Sequence, residues 1–123
     1  MVIPTVLRPS RIQGIGLFSS RDVEAGETVW FETPQSIRRY TEKERAEVMG
    51  TLFWDFLEKY AIVEDGIYIL NMDDARFINH SEDPNIAPTD SSGKTYVAVR
   101  DIVEGEELTC DYRIFEGEGF EGF

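Results

Sequence analysis

The chain is poor in the residues that build metal sites and disulfide frameworks. It has one cysteine, Cys110, and one histidine, His80, among 123 residues. A single thiol excludes an internal disulfide, and one cysteine with one histidine is too few ligands for a structural zinc site. The oxygen-rich stretches 71–74 and 81–85 lack the regular ligand spacing of a calcium loop. The sequence therefore predicts a protein without a bound metal ion.

Basic residues are also scarce. The chain has 12 Lys and Arg against 24 Asp and Glu, which gives a formal net charge of −12. A nucleic acid partner requires a basic footprint on the protein, so this class of partner is disfavoured. The negative charge serves solubility or attracts a basic protein partner, and composition leaves both interpretations open.

Long hydrophobic runs are absent from the sequence. No stretch is long enough to span a bilayer, and segment 1–11 lacks the basic start and apolar run of a secretory signal. We therefore expect a soluble intracellular protein without a membrane partner. It would be cytoplasmic, or nuclear or host-directed if the protein is viral or an effector. A hydrophobic fraction of 41% is enough for one core.

Short stretches rich in β-forming residues predict a mainly β fold with one principal helix. The predicted strands are residues 16–20, 28–32, 36–40, 66–71, 95–100 and 107–112. Residues 41–60 predict a single helix that begins with Thr41 and Glu44 at the spacing of a capping box. Its apolar residues recur at helical spacing and predict a core-facing stripe of Met49, Leu52, Phe53, Phe56, Leu57 and Tyr60. Residues 81–93 contain two prolines and predict a loop.

Two segments far apart in the chain share one pattern. Residues 21–27 and 100–106 both read Arg-Asp-aliphatic-x-x-Gly-Glu, and both lie between strand candidates. The pattern predicts a repeated tight turn in which glycine supplies an unusual backbone angle, in preference to a binding role. We expect that the two ends of the chain are built alike.

The residue types alone leave the chemistry open. Cys110 and His80 could form a nucleophile pair, although Cys110 lies in an apolar strand pattern typical of a buried thiol. Ser81 is a poor partner for His80, because adjacent side chains on an extended segment point to opposite faces. The stretch Gly-Ile-Gly at 14–16 predicts only a flexible turn that allows close approach of the backbone.

Three stretches considered together resemble the SET domain, a family of lysine methyltransferases that use S-adenosylmethionine. They read GIGLFSSRDVEAGE at 14–27, RFINHSEDPN at 76–85 and GEELTCDY at 105–112. The resemblance covers residues 8–113. It implies small curved β-clip-like sheets with a C-terminal segment threaded in a knot-like crossing. Residues 1–113 would form the domain, and residues 114–123 an acidic, aromatic tail that is a lid or disordered.

The resemblance also implies the residues of the site. The cofactor S-adenosylmethionine would contact Gly14, Ile15, Gly16, Leu17, Arg76, Phe77, Asn79 and His80, with His80 acting through its backbone. Tyr112 would be the catalytic tyrosine, whose hydroxyl orients the amine of a substrate lysine. The substrate would be a lysine-rich protein or peptide, either a histone or a non-histone protein.

Several features depart from the family pattern. The chain lacks the cysteine-rich zinc modules that often flank the domain, so other residues must complete the lysine channel. The tail residues Phe115, Phe120 and Phe123 are candidates, from this chain or from a partner chain in a homodimer. Cys110 stands in the channel where Tyr or Phe is usual, and the smaller side chain predicts di- or trimethylation.

Two further departures affect substrate docking. Residues 71–76 read NMDDAR where the family has Gly-Asn before the Ala-Arg pair, and residues 30–35 read WFETPQ where it has Glu-Tyr-x-Gly-Glu. A non-catalytic SET-like binding or regulatory module is therefore the competing interpretation.

Overall fold

The computed structural model describes the chain from residue 1 to residue 115, with side chains described for residues 1–113. Within this part there are ten short strands: β1 Thr5–Pro9, β2 Ile15–Ser19, β3 Thr28–Phe31, β4 Ile37–Tyr40, β5 Ile62–Glu64, β6 Ile67–Asn71, β7 Asn79–His80, β8 Ile86–Pro88, β9 Thr95–Ala98 and β10 Thr109–Cys110. The α-helices are α1 Glu42–Glu47 and α2 Leu52–Tyr60, and 3-10 helices span Asp74–Phe77 and Tyr112–Phe115. The prediction of a mainly β fold with one principal helix is confirmed.

The strands form small sheets rather than one large one. Strands β1 and β2 make a hairpin, and two three-stranded antiparallel sheets have the orders β3-β9-β8 and β4-β6-β5. Strands β7 and β10 pair in parallel, although they lie far apart in the sequence. Parallel strands cannot be joined by a tight hairpin, so this pairing requires the intervening chain to loop away and return.

The chain divides into two compact units. The first unit contains Met1–Glu32 and Phe77–Asp111, and therefore strands β1 to β3 and β7 to β10. The second unit contains Thr33–Arg76 and the described residues from Tyr112, and therefore both α-helices and strands β4 to β6. The first unit is centred on fully buried aliphatic side chains, among them Leu17, Val29, Ile86, Ile102 and Leu108.

The repeated turn predicted from the sequence is present in the first unit. Gly26 and Gly105 occupy equivalent positions and have φ angles of 89° and 88°. An L-residue with a side chain rarely adopts this conformation, so glycine is needed at both positions. The ion pairs Arg21–Glu27 and Arg100–Glu106 close the two turns in the same way. The prediction of two similar glycine turns is confirmed.

The second unit corrects the prediction of one continuous helix over residues 41–60. The capping box of Thr41 and Glu44 is present, but α1 ends at Glu47 and α2 begins at Leu52. Gly50 has a φ of 83°, which is incompatible with a right-handed helix, and the Thr51 side chain accepts a hydrogen bond from the backbone N–H of Trp54. A second N-cap therefore restarts the helix after the glycine.

The predicted apolar stripe is only partly in the core. Leu57 is fully buried and packs in a cluster with Tyr40, Ala61, Tyr68 and Leu70, while Phe56 and Tyr60 lie against it. By contrast, the Met49 and Leu52 side chains are 64% and 86% exposed. The break at Gly50 changes the direction of the chain, so the spacing that predicted one continuous stripe does not apply across it.

Two other predictions from the sequence were inaccurate. Residues 81–93 contain strand β8, because Ile86 is buried and pairs with Ala98 on β9. The last strand is shorter than the predicted 107–112, since pairing is limited to Thr109 and Cys110 and a 3-10 helix begins at Tyr112.

No helix within the described residues has the length and apolar character needed to cross a membrane.

Candidate functional site

The parallel pair of β7 and β10 joins two of the three stretches identified in the sequence. Asn79 lies opposite Thr109 and His80 opposite Cys110. The backbone N–H of Ser81 donates to the carbonyl oxygen of Cys110 at 2.9 Å, which extends the pairing by one residue. The chain leading to Tyr112 is therefore attached through its backbone to the stretch that contains Asn79 and His80.

Asn85 fastens this pairing from inside the first unit. Its side chain is buried, and its Nδ2 donates to the carbonyl oxygen of Glu107 at 2.7 Å. Its Oδ1 accepts from the backbone N–H of Thr109 at 2.8 Å. Because a buried polar group without partners is costly, this fully bonded amide fixes the approach of the two segments. The sequence analysis did not single out Asn85, although it lies within the stretch 76–85.

The first stretch, Gly14 to Leu17, lies against the same strands. Gly14 has a φ of 51° and ends the turn between β1 and β2. The Asn79 side-chain Nδ2 donates to the backbone carbonyl of Gln13 at 3.1 Å and lies 3.5 Å from that of Ile15. The Asn79 side chain therefore lies beside the end of this turn and the first residue of β2. Leu17 is fully buried, and its carbonyl oxygen accepts from the backbone N–H of Leu108 at 2.8 Å.

Two polar residues outside the predicted set hold this region together. The Ser10 Oγ donates to the Glu107 carboxylate, with oxygen–oxygen distances of 2.8 and 2.9 Å. The Asn79 Nδ2 donates to Glu107 Oε2 at 2.9 Å. Sequence reasoning missed Glu107 because it follows Glu106 directly, and composition does not distinguish the two carboxylates.

His80 and Asp111 face one another near the end of β10. The distance from His80 Nδ1 to Asp111 Oδ1 is 3.8 Å, which forms an ion pair when the imidazole is protonated. Both side chains are partly exposed. The arrangement orients the imidazole and leaves the backbone of His80 in the pairing with Cys110.

The environment of Cys110 disfavours nucleophilic chemistry. The thiol is buried, and burial, with a smaller contribution from Asp111, raises its pKa to about 12. The thiolate is the reactive form of cysteine, and with this raised pKa very little thiolate is present at neutral pH.

Tyr96 is also buried, and its hydroxyl has no hydrogen-bond partner among the described residues. Burial raises the pKa of Tyr96 well above its usual value, and Cys110 adds to the effect.

The remaining predicted residues fall into two groups. Phe77 ends a 3-10 helix and belongs to the first unit, whereas Arg76 and Tyr112 belong to the second. Arg76 lies over the Phe56 ring, 5.8 Å from its centroid, and its NH1 donates to the Asp73 carbonyl.

None of the three predicted channel side chains of the tail is among the described side chains. The predicted channel residues Phe115, Phe120 and Phe123 lie in the segment 114–123, whose side chains are not described, and so does the proposed lid.

Over the described residues, no group of three or more His, Cys, Asp or Glu side chains is arranged to hold a metal ion.

Comparison with known proteins identifies the family of this chain. The family model described as the SET domain matches residues 14–113. Histone-lysine N-methyltransferase trithorax of Drosophila virilis is 35% identical over 128 residues, a match that covers 89% of this chain and 3% of that protein. Histone-lysine N-methyltransferase 2B of Homo sapiens is 34% identical over 121 residues, covering 85% of this chain and 4% of that protein.

A solved structure agrees with these matches. Polycomb Repressive Complex 2 of Chaetomium thermophilum, in an autoinhibited conformation bound to S-adenosylmethionine, contains a chain with a TM-score of 0.66 and 27% identity. The match covers 98% of this chain and 16% of that chain. The chain therefore spans only a small fraction of the length of the proteins it resembles. Its match to the family model over most of its length shows that it belongs to the SET-domain family.

Proposed function

We propose that the chain is the catalytic domain of a protein-lysine N-methyltransferase that uses S-adenosylmethionine. The observation that carries this proposal is the parallel pairing of Asn79–His80 with Thr109–Cys110. It joins the predicted cofactor stretch to the segment that runs directly into Tyr112. The names of the relatives as histone-lysine methyltransferases support the same activity.

The chemistry of the first unit fits this cofactor, which carries a cationic sulfonium. The Asn79 amide and the Glu107 carboxylate meet beside the start of β2, and a second carboxylate, Asp111, lies 3.8 Å from His80 Nδ1. Gly14 adopts a left-handed conformation with open space where a Cβ would stand. A turn of this kind lets a ligand approach the backbone carbonyls closely.

At position 16, glycine is required because the neighbouring side chains leave no space for a Cβ. A Cβ there would meet the Glu107 carboxylate, whose Cδ lies 2.8 Å from the position of that Cβ, and Ser10 Cβ at 3.1 Å. The glycine is therefore needed for packing inside the first unit. Its contribution to a cofactor site is to allow Glu107 to lie beside β2.

The residues of the chain would position the reactants for one displacement. When bound, S-adenosylmethionine would supply an electrophilic methyl group, which a neutral amine accepts as the sulfur leaves in a thioether. A lysine amine has an ordinary pKa of about 10.4, and an apolar channel lowers it toward the neutral form. The Tyr112 hydroxyl would orient the nitrogen for attack. Alignment of this kind can supply roughly 7–11 kcal/mol of the barrier.

The substrate class follows from charge. With a net charge of −12, the protein attracts lysine-rich segments over several ångströms, at a rate that falls with ionic strength. We therefore propose a lysine in a basic protein as the methyl acceptor, either in a histone tail or in a non-histone protein. The domain would comprise residues 1–113, with the aromatic tail as part of the channel.

Calorimetry with S-adenosylmethionine, followed by transfer of a labelled methyl group to a panel of basic proteins, tests the proposal. We expect cofactor binding and labelling of lysine. Absence of cofactor binding would overturn the proposal.

A non-catalytic SET-like module is the second candidate, and the presence of Cys110 at a channel position favours it. Replacing Tyr112 by Phe separates the two. The enzyme loses transfer but keeps cofactor affinity, whereas the module shows no transfer before or after the change.

A further inference from the structure

The Glu107 carboxylate is the meeting point of three distant segments in the first unit. Its oxygens accept from the Ser10 Oγ at 2.8 and 2.9 Å, and Oε2 accepts from the Asn79 Nδ2 at 2.9 Å. The backbone of Glu107 forms an antiparallel bridge with Phe18 of β2. The carboxylate also fills the space beside Gly16 that a side chain would otherwise occupy.

This carboxylate determines the orientation of the Asn79 amide. The Asn79 Nδ2 faces two groups that can only accept, Glu107 Oε2 and the carbonyl oxygen of Gln13. A flipped amide would place Oδ1 against both acceptors and would lose a charge-assisted hydrogen bond. The Oδ1 is therefore held in the opposite direction, and no hydrogen bond engages it among the described residues.

Ser10 connects the Glu107 carboxylate to the turn that contains Gly14. Its Oγ accepts from the backbone N–H of Ile12 at 2.9 Å while it donates to Glu107. Its own backbone N–H donates to the Gly14 carbonyl at 2.8 Å. The turn is thus closed internally and attached to Glu107 by one hydroxyl.

We propose that Glu107 is a positioning residue that prepares the cofactor site before any ligand arrives. It fixes Asn79 with Oδ1 as the acceptor offered to a ligand, and through Ser10 it holds the 10–14 turn near β7. This inference rests on the proposed methyltransferase function and deepens it. A prearranged acceptor improves affinity because the ordering of the side chain does not have to accompany binding.

The adjacent glutamate provides a matched control. Glu106 points to the other side of the segment, where its carboxylate lies 3.3 Å from Arg100 NH2 and accepts from the Asn85 Nδ2 at 3.0 Å. It has no hydrogen bond to Asn79 or Ser10 among the described residues. Glu106→Gln removes the same charge one residue away, keeps a side-chain oxygen that can accept from the Asn85 Nδ2, and does not contact the Asn79 amide.

The test combines two measurements on the full chain. The first is the side-chain amide signal of Asn79 in ¹⁵N spectra of the ligand-free protein, assigned with Asn79→Ala. We expect Glu107→Ala to move this signal toward that of a free amide and to speed its solvent exchange, whereas Glu106→Gln leaves it unchanged. An unchanged signal in Glu107→Ala overturns the proposal.

The second measurement is cofactor affinity by calorimetry, with the kinetic KM and kcat determined separately. Glu107→Ala should weaken cofactor binding on the order of tenfold, the loss expected for one hydrogen bond to a charged group, and should raise KM more than it lowers kcat. Glu107→Gln keeps the shape and should weaken binding less, so it replaces the alanine variant if that variant does not fold. Wild-type affinity and KM in a variant whose Asn79 signal has moved would overturn the positioning role. If the wild-type protein binds no cofactor, the proposed function fails, and the amide signal still decides whether Glu107 orients Asn79.

Discussion

Val23 and Ile102 exchange a reciprocal pair of backbone hydrogen bonds, each with an N–O distance of 2.8 Å. They occupy the same position in the two copies of the Arg-Asp-aliphatic-x-x-Gly-Glu turn, so the copies face one another about a local twofold axis. The side chains repeat the relationship. Asp101 accepts from the backbone N–H of Ala25 at 2.9 Å, and Asp22 accepts from that of Glu104 at 2.8 Å.

This symmetry predicts equal effects of two distant substitutions. Asp22→Ala and Asp101→Ala each remove one carboxylate acceptor from a backbone N–H of the opposite turn, so each should lower the free energy of unfolding by about 1 kcal/mol. Urea denaturation measures the change. Glu24→Ala, which removes an exposed acid from the same turn, is the control and should have little effect. A large difference between the two aspartate variants would contradict the equivalence of the turns.

The Arg21–Glu27 pair predicts a specific acid sensitivity. Hydrogen bonding from Arg21, followed by the backbone N–H of Glu24, holds the pKa of Glu27 below its ordinary value of 4.5. A lowered folded-state pKa contributes stability that is present above pH 4.5 and is lost as the pH falls through the folded-state value. Glu27→Gln should therefore flatten the decline of stability below this pH, as measured by thermal unfolding at a series of pH values. Glu24→Gln should leave the slope as in the wild type, and equal slopes in both variants would refute the assignment.

The buried hydroxyl of Tyr96 predicts a substitution that does not destabilise the protein. Because this hydroxyl has no partner among the described residues, Tyr96→Phe removes an unsatisfied group and should leave stability unchanged or raise it by about 1 kcal/mol. Tyr68→Phe is the matched control, since the Tyr68 hydroxyl donates to Glu58 at 2.6 Å. It should be destabilising. Denaturant unfolding compares the two, and a clear loss of stability in Tyr96→Phe would contradict the prediction.

The Cys110 thiol predicts slow alkylation. Its pKa is raised to about 12, and its side chain is buried, so iodoacetamide should label the folded protein very slowly at pH 8. In denaturant we expect complete labelling, with one iodoacetamide group added per chain, because the chain has one cysteine. Rapid labelling of the folded protein would restore the Cys–His nucleophile as a candidate.

Cys110, as a residue of the proposed lysine channel, predicts the product of the proposed methyl transfer. Where Cys replaces a larger aromatic residue in the proposed channel, the product lysine should be di- or trimethylated. Mass spectrometry of the product over a time course measures this. A product that remains monomethylated after long incubation would show that the small side chain does not enlarge the channel.

The helix over residues 41–60 shows how far local patterns reach. The capping box at Thr41 depends on a spacing of three residues, so it was predictable and is present. The break at Gly50 was not predicted, because a glycine inside a helical pattern is often tolerated. The left-handed angle at Gly50 and the second cap at Thr51 decide the outcome.

By itself, the sequence determined several local features of the protein: some of the strands, the two glycine turns and the three stretches that identify the family. These features depend on residue types and spacings within a few positions. Only the tertiary structure decided which residues meet at the site. Asn79 and Glu107 are 28 positions apart, and Ser10 and Glu107 are 97 apart. The choice of Glu107 over the adjacent Glu106 depends on the side of the segment to which each side chain points, and Glu107 is the one whose backbone is bridged to Phe18 of β2.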